Sequence, residues 1–333
     1  MQTISIVLPV YQNEANLPDT VPKMLSLRKS FPGYRLELVF VDDGSTDRSW
    51  ELLCDFRERF PGTITLVRLS RNFGQNPAVQ AGLRHATGDC VGIISADLQE
   101  PYETFREMVA HWEKGSKFII GERVGRTDGR LKQWLGSLYW VPFRHFAWKD
   151  FPRMGYDFCL IDRQLIDDVN RIHEKNTVLY QLLYWLGYTP TRIPIVREKR
   201  STGKSQWNAL RKVHFYVDSM IAFTYLPVRI VTFLGLSTSV LATAYMGYVV
   251  VRWLFLGSTA QGWTSIVVLI LCFGALTLSS LGIICEYLWR ILDEARPRPP
   301  FVVDSVHRAK SDAGRSDDRM IPFSLQTEIP ASP

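Results

Sequence analysis

The sequence predicts an α/β domain built on a mostly parallel sheet, followed by two helices long enough to cross a membrane. Three observations carry that prediction: short β-rich apolar runs alternate with helical stretches, polar clusters close four of those runs, and two long uncharged stretches follow. The strand-like runs lie at 4–10, 36–41, 64–69, 91–95 and 118–121, with helical stretches near 16–30, 46–59, 77–86 and 102–113. Strand and helix in strict alternation indicate parallel strands covered on both faces. Ligands of such sheets bind outside the carboxyl ends of the strands. The opening run Met1-Gln-Thr-Ile-Ser-Ile-Val-Leu-Pro-Val reads as the first strand and lacks the basic stretch and cleavage site of a signal peptide.

The uncharged stretches cover 22 residues, 230–251, and 33 residues, 253–285, with Arg252 between them. As a helix the first would be about 33 Å long, against a hydrocarbon core of about 30 Å. Spans are therefore expected near 229–252 and 263–286. Buried core helices are the alternative, but those usually run shorter and carry a polar face. Arg197, Lys199, Arg200, Lys204, Arg211, Lys212 and Arg229 precede the first span, and Arg290, Arg296 and Arg298 follow the second. Positive charge on both outer flanks marks them as cytoplasmic. The expected division is a cytosolic domain over 1–200, an amphipathic juxtamembrane segment over 201–228, a two-helix hairpin over 229–288 and a cytosolic tail over 289–333. From about Asp304 onward Ser, Pro and charge predict a loose tail.

Composition narrows the function classes. The chain has 333 residues, 46% of them hydrophobic and 22% charged, with a net charge of +6. A mean hydropathy of -0.03 is high for a wholly soluble protein of that charge content. Five cysteines, scattered and without any C-x-x-C, argue against a disulfide framework and against a thiolate zinc site. The positive balance suits a protein that meets phosphates. Nucleic acid is excluded as a partner because the basic residues gather beside the apolar stretches rather than on a recognition helix. Oligomeric state is not legible, and a homo-oligomer is allowed.

Polar clusters stand where strands one to four end: Pro9-Val-Tyr-Gln-Asn-Glu14, Val41-Asp-Asp-Gly-Ser-Thr-Asp47, Ser70-Arg-Asn-Phe-Gly-Gln75 and Ser95-Ala-Asp-Leu-Gln-Glu100. One such cluster could be turn and cap chemistry. Four at one sheet edge predict a site.

With Val7-Leu-Pro-Val and Leu69-Ser-Arg, these segments resemble the inverting family-two glycosyltransferases. More narrowly, the chain resembles the polyprenyl-phosphate branch, which contains dolichyl-phosphate mannose synthase and its bacterial undecaprenyl-phosphate relatives. That resemblance covers about residues 3–303 and includes Glu286-Tyr-Leu-Trp-Arg290 and Arg296-Pro-Arg-Pro. It implies a Rossmann-like, glycosyltransferase A-type domain. It also implies sugar transfer from a nucleotide sugar, UDP by likeness to the bacterial relatives, to polyprenyl phosphate at the cytosolic face of a bacterial inner membrane. A catalytically impaired nucleotide-sugar-binding scaffold is the alternative, and a polysaccharide synthase a poorer one, since neither further spans nor a Q-x-x-R-W motif is present.

The resemblance also assigns residues. Asp97 and Gln99 would hold Mg²⁺ or Mn²⁺ on the donor diphosphate, with Ser95 standing where the family usually has Asp. The alternative for Asp97 is a helix cap ahead of Pro101. Pro9, Tyr11, Glu14, Asp42, Asp43 and Arg71 would line the base and ribose, and Arg123 and Arg126 would bind phosphate, as guanidinium forks do. Arg71, Arg123 and Arg126 could instead be solvated surface arginines. Arg200, Gly203, Ser205 and Trp207 match the family's juxtamembrane R-x-x-G-x-S-[KR]-[YW] pattern, with Gln206 in place of the usual base and Lys204 beside it. Arg200, Lys204, Ser205 and Trp207, with Ser137, are thereby expected on the acceptor side, an anionic-headgroup patch being the alternative. Asp157, within Asp-Phe-Cys-Leu, would orient the sugar or the acceptor phosphate. Asp97, Asp157 and Arg200 are the expected catalytic set. Trp134, Leu135, Leu138, Tyr139, Trp140, Phe143, Phe146 and Trp148 read as an interfacial aromatic band or as core.

Overall fold

A computed structural model describes residues 1–124, 144–145, 148–152, 155–172, 174, 178–197, 221, 223–224, 226–256, 262–296 and 298–309. Eight strands form one sheet: β1 (Thr3–Val10), β2 (Arg35–Asp42), β3 (Ile64–Leu69), β4 (Cys90–Ile93), β5 (Phe118–Arg123), β6 (Cys159–Asp162), β7 (Thr191–Ile195) and β8 (Val303–His307). Their order is β7-β5-β6-β4-β1-β2-β3-β8. The pairs β1/β2, β1/β4, β2/β3 and β5/β7 are parallel, whereas β6 runs antiparallel to β4 and β5, and β8 antiparallel to β3. Strand order reverses beside β1, with β2 on one side and β4 on the other, and such a reversal opens a crevice at the strands' carboxyl ends.

The helices are α1 (Leu17–Ser26), α2 (Ser49–Arg59), α3 (Gln75–His85), α4 (Phe105–Glu113), α5 (Arg163–Asn170), α6 (Leu179–Trp185), α7 (Leu226–Leu256) and α8 (Trp263–Ala295). Because both faces of the sheet are covered, the central strands are near-continuous apolar runs. Ile4, Ile6, Leu8 and Val10 pack with Leu38, Phe40, Leu53 and Met108 on one face, while Val7, Val39 and Val41 pack with Ala78, Leu83 and Ile166 on the other. The two-residue alternation along each strand sorts them. At Gly82 of α3, an added Cβ would lie 2.3 Å from Val7 Cγ1, so only glycine lets this helix sit so close to β1. Glu37 of β2 is buried and accepts hydrogen bonds from Ser5 Oγ (2.5 Å), Thr65 Oγ1 (3.0 Å), and the N–H and Oγ1 of Thr87 (2.8 and 2.9 Å). The five cysteines are free thiols, in agreement with the sequence reading.

The expectation of a loose tail from Asp304 is corrected at its start, while residues 310–333 lie outside the described residues. Val303–His307 adds β8 to the edge of the sheet, with Ser70 N–H donating to Val302 O (3.0 Å) and Phe301 buried in the core. Helix α8 also continues past the expected end at 286 to Ala295, with Glu286 and Arg290 paired one turn apart at 3.5 Å. Both α7 and α8 contain windows long and apolar enough to cross a membrane, at Val228–Tyr245 and Cys272–Ala295, and neither window is buried.

Chain on either side of the helix pair is anchored to the domain. Phe223, ahead of α7, packs its ring 5.2 Å from Trp148, which in turn contacts Phe151 and Tyr184. Beyond α8, the Arg84 guanidinium lies 5.0 Å over the ring of Phe301. For Trp148 the core reading holds, since it packs against the cluster that contains Tyr156 and Leu183. The rest of the expected aromatic band lies outside the described residues.

Candidate active site

The site begins where β1 and β2 end side by side. Asp43 donates its N–H to Val10 O (2.9 Å) and receives Phe73 N–H on Oδ1 (2.7 Å) and Gly74 N–H on Oδ2 (2.8 Å). One carboxylate thus joins the ends of β2 and β3. Burial pushes its pKa up to about 6, against the pull of those two N–H groups. Asp42 is fully buried, accepts Ser45 N–H at 3.3 Å and lies 3.7 Å from Arg68 Nε; burial raises its pKa as well. Gly44 follows with φ +66°, and an added Cβ would meet the Arg71 carbonyl carbon at 2.5 Å.

The loop after β1 is stitched to the start of α2. Gln12, itself left-handed at φ +52°, donates its N–H to Ser45 Oγ (3.0 Å), Asn13 N–H donates to Ser49 Oγ (2.9 Å), and Glu14 N–H to Asp47 Oδ2 (3.2 Å). The Glu14 carboxylate accepts Arg48 N–H at 3.0 Å, which places it at the positive end of α2. Pro9 and Tyr11 are half-buried at this edge, and the guanidinium of exposed Arg71 lies 4.3 Å over the Phe73 ring. Beside them a cleft of about 350 Å³ is lined by Gly44, Ser45, Arg68, Leu69, Ser70 and, from β8, Asp304. Sequence reading missed Asp304 because it assigned that residue to the tail.

Beyond β4 the loop is pinned by Thr20 Oγ1 donating to Ala96 O (2.7 Å) and Leu98 N–H to Ser95 O (3.1 Å), with Leu98 at φ +43°. Ser95, Asp97 and Gln99 are half-buried on it. Among the described residues no group of three or more His, Cys, Asp or Glu could hold a metal ion. The loop nevertheless offers a carboxylate, an amide oxygen and a hydroxyl. That all-oxygen set fits a hard divalent cation whose remaining ligands come from substrate phosphate and water.

Four charged groups meet at the other side of this loop. Arg123, the last residue of β5, places Nη2 2.5 Å from both oxygens of Asp157 and 3.4 Å from Glu100 Oε1, and Arg197 Nε lies 3.0 Å from the same Glu100 oxygen. The structure therefore brings Arg123 and Asp157 together, and adds Glu100 and Arg197, to which the sequence reading gave no role at the site. Burial drives the Glu100 carboxyl up to about 7, with the Asp157 charge adding to the rise and Arg197 and Arg123 opposing it. Arg126, Ser137, Arg200, Lys204, Ser205 and Trp207 lie outside the described residues.

The glycosyl transferase family 2 pattern matches residues 5–169. A glycosyltransferase from Synechocystis, sll0501, is 32% identical over 304 residues, spanning 91% of this chain and 95% of its own. The chain belongs to glycosyl transferase family 2. Its other near full-length relatives include YkcC of Bacillus subtilis, at 32% identity over 91% of this chain and 94% of its own. The bactoprenol glucosyl transferase of Shigella phage SfII matches at 29% identity over 92% of this chain and 98% of its own. Among solved structures, mannosyltransferase PcManGT from Pyrobaculum calidifontis, in complex with GDP-Man and Mn²⁺, aligns with a TM-score of 0.41 at 18% identity, covering 86% of this chain and 87% of that one. This glycosyltransferase is thus an enzyme of the sugar-transferring class, and its mostly parallel sheet, whose strand order reverses beside β1, is the A-type arrangement that its motifs imply.

Proposed function

We propose that this glycosyltransferase transfers a sugar from a UDP-linked donor to undecaprenyl phosphate, with inversion, at the cytosolic face of a bacterial inner membrane. The observation that carries the reading is the gathering of Pro9, Tyr11, Asp42, Asp43, Arg71, Asp97 and Gln99 along one sheet edge, in a chain that matches bactoprenol glucosyl transferases over nearly its whole length. Residues 1–200 with β8 form the catalytic unit, 201–228 run along the bilayer and 229–288 carry the hairpin. The anchors at Phe223 and Phe301 support an orientation in which both helices leave from the catalytic side.

In this reaction the bond from the anomeric carbon to the diphosphate breaks and its electron pair leaves with the nucleoside diphosphate, while an acceptor phosphate oxygen bonds the opposite face. Tyr11 packs against the base, and Glu14, Asp42 and Asp43 accept hydrogen bonds from N–H and O–H groups of the nucleoside or shape the loops that do. Asp97 and Gln99 would hold Mg²⁺ or Mn²⁺, which when bound neutralises charge on the leaving group. Arg123 and Arg126 are the arginines assigned to the diphosphate, Arg126 lying outside the described residues. On the acceptor side Ser137, Arg200, Lys204, Ser205 and Trp207 receive the lipid phosphate, and Asp157, held by Arg123, orients it. A phosphate monoester has a second pKa of about 6, so the nucleophile is already ionised at neutral pH and needs no strong general base. Positioning and electrostatics carry the rate enhancement.

Nucleotide affinity is expected to fall as pH drops through about 6, where Asp43 takes up a proton and loses acceptor strength toward Phe73 and Gly74. Affinity rises with pH and levels off above that value. Calorimetry with UDP between pH 5 and 8 checks this, and Asp43→Asn should flatten the profile.

The test of the function itself is to supply membranes containing the protein with undecaprenyl phosphate and a panel of labelled nucleotide sugars. One UDP-sugar should yield organic-extractable label, dependent on Mg²⁺ or Mn²⁺. No label from any donor, with UDP binding retained, would instead favour the scaffold reading that Ser95 motivates.

A further inference from the structure

Glu100 is 1% exposed, and among the described residues its Oε2 is buried without a hydrogen-bond partner. Burying a carboxylate costs several kcal/mol unless opposite charge and hydrogen bonds offset it. Here the offset comes from two guanidinium groups, one at the end of β5 and one in the chain just after its parallel neighbour β7. Arg123 pairs in register with Ile195, and Arg197 follows two residues later. Both reach Glu100 Oε1, at 3.4 and 3.0 Å. Arg123 also binds Asp157, so a single buried carboxylate sits at the junction of four separate segments: the loop after β4, the end of β5, the chain before β6 and the chain after β7.

Packing alone would be served by an apolar side chain of similar volume, which for buried ion pairs is often as stable. What the charge adds is geometry. Glu100 directly follows Gln99 on the donor loop, while Arg197 directly precedes the segment that leads toward the apolar helices.

We propose that Glu100 is a positioning residue: by binding Arg123 and Arg197 it holds the Asp97–Gln99 loop in register with Asp157 and with the acceptor-side chain. This rests on the functional reading above only in treating the residues after Arg197 as the acceptor side.

The test uses the full chain in nanodiscs with Glu100→Gln, Arg197→Gln and the double variant. Glu100→Gln should lower kcat by about 10²-fold, the scale of a misplacement near 1 Å, and raise the KM for undecaprenyl phosphate, while UDP affinity stays within about threefold of the parent. Glu100→Asp, which keeps the charge, should recover part of the loss. The double variant should lose no more than the worse single one, because both substitutions break the same link. Unchanged turnover, multiplying losses in the double variant, or a fall in UDP affinity as large as the fall in kcat would overturn the proposal.

Hydrogen exchange gives a readout independent of activity. Glu100→Gln should speed exchange in 95–103 and 192–197 together and leave β1 to β3 unchanged; no change in either segment, or a general rise, would overturn it. If the parent protein transfers no sugar, the functional reading falls and the exchange result still decides this proposal. Should Glu100→Gln fail to fold, Arg197→Gln, at a partly exposed position, carries the same exchange prediction for 95–103.

Discussion

Asp97→Asn leaves the protein folded and lowers kcat for sugar transfer by about 10²- to 10³-fold, the usual cost of removing one preorganised electrostatic group. The loop that carries Asp97 is held by Thr20 Oγ1 on Ala96 O and by the Leu98 N–H on Ser95 O, bonds that do not involve the carboxylate. The catalytic demand does depend on it. On the proposed reading Ser95 and Gln99 would bring oxygen without charge, and Asp97 would bring the negative charge of the 95–99 loop toward a cation on the diphosphate. Steady-state kinetics with thermal unfolding of the same preparation checks this. Full activity in Asp97→Asn would remove the loop from the mechanism.

Gly44→Ala should damage stability and donor binding together. Its φ of +66° costs a residue with a Cβ about 1–2 kcal/mol. The new methyl would also stand 2.5, 2.7 and 2.8 Å from the Arg71 carbonyl carbon, the Arg71 Cα and the Asn72 nitrogen. These are backbone atoms, so no rotamer change relieves the clash and the 70–74 loop must move. That movement pulls Phe73 and Gly74 away from Asp43, which accepts both of their N–H groups. The expected result is a loss of about 2–5 kcal/mol in stability, the sum of strain and overpacking, with UDP affinity falling about tenfold or more. Unfolding of the detergent-solubilised chain and UDP calorimetry measure the two effects. A well-folded variant with parental affinity would show that the loops after β2 and β3 do not form one donor wall.

The strands of the central sheet were legible because burial on both faces writes itself into sequence as unbroken apolar runs, such as Ile6 to Leu8 and Leu38 to Val41. The site edge was legible for the opposite reason: Asp42-Asp43-Gly44 and Asp97-Leu-Gln99 interrupt those runs at fixed places. β8 was not. Val303-Asp-Ser-Val-His307 is short and half polar, and its pairing with β3, more than two hundred residues away in the chain, is decided by contacts that no local pattern announces. Glu100 failed to stand out for the same reason, since Arg123 and Arg197 reach it, and Asp157 reaches Arg123, from three distant segments. Beside Gln99 and Pro101 it looked like one more polar loop residue. Glu37 is the structural counterpart, a buried carboxylate whose partners Ser5, Thr65 and Thr87 come from three other parts of the chain.

On the proposed function, the donor pocket at the strand ends and the lipid phosphate share one reaction space. The most direct measurement follows UDP release and lipid-linked sugar in the same nanodisc sample, with and without undecaprenyl phosphate. One UDP should be released for each sugar transferred, with negligible release when the lipid phosphate is omitted. UDP release that continues at an undiminished rate without undecaprenyl phosphate would contradict it.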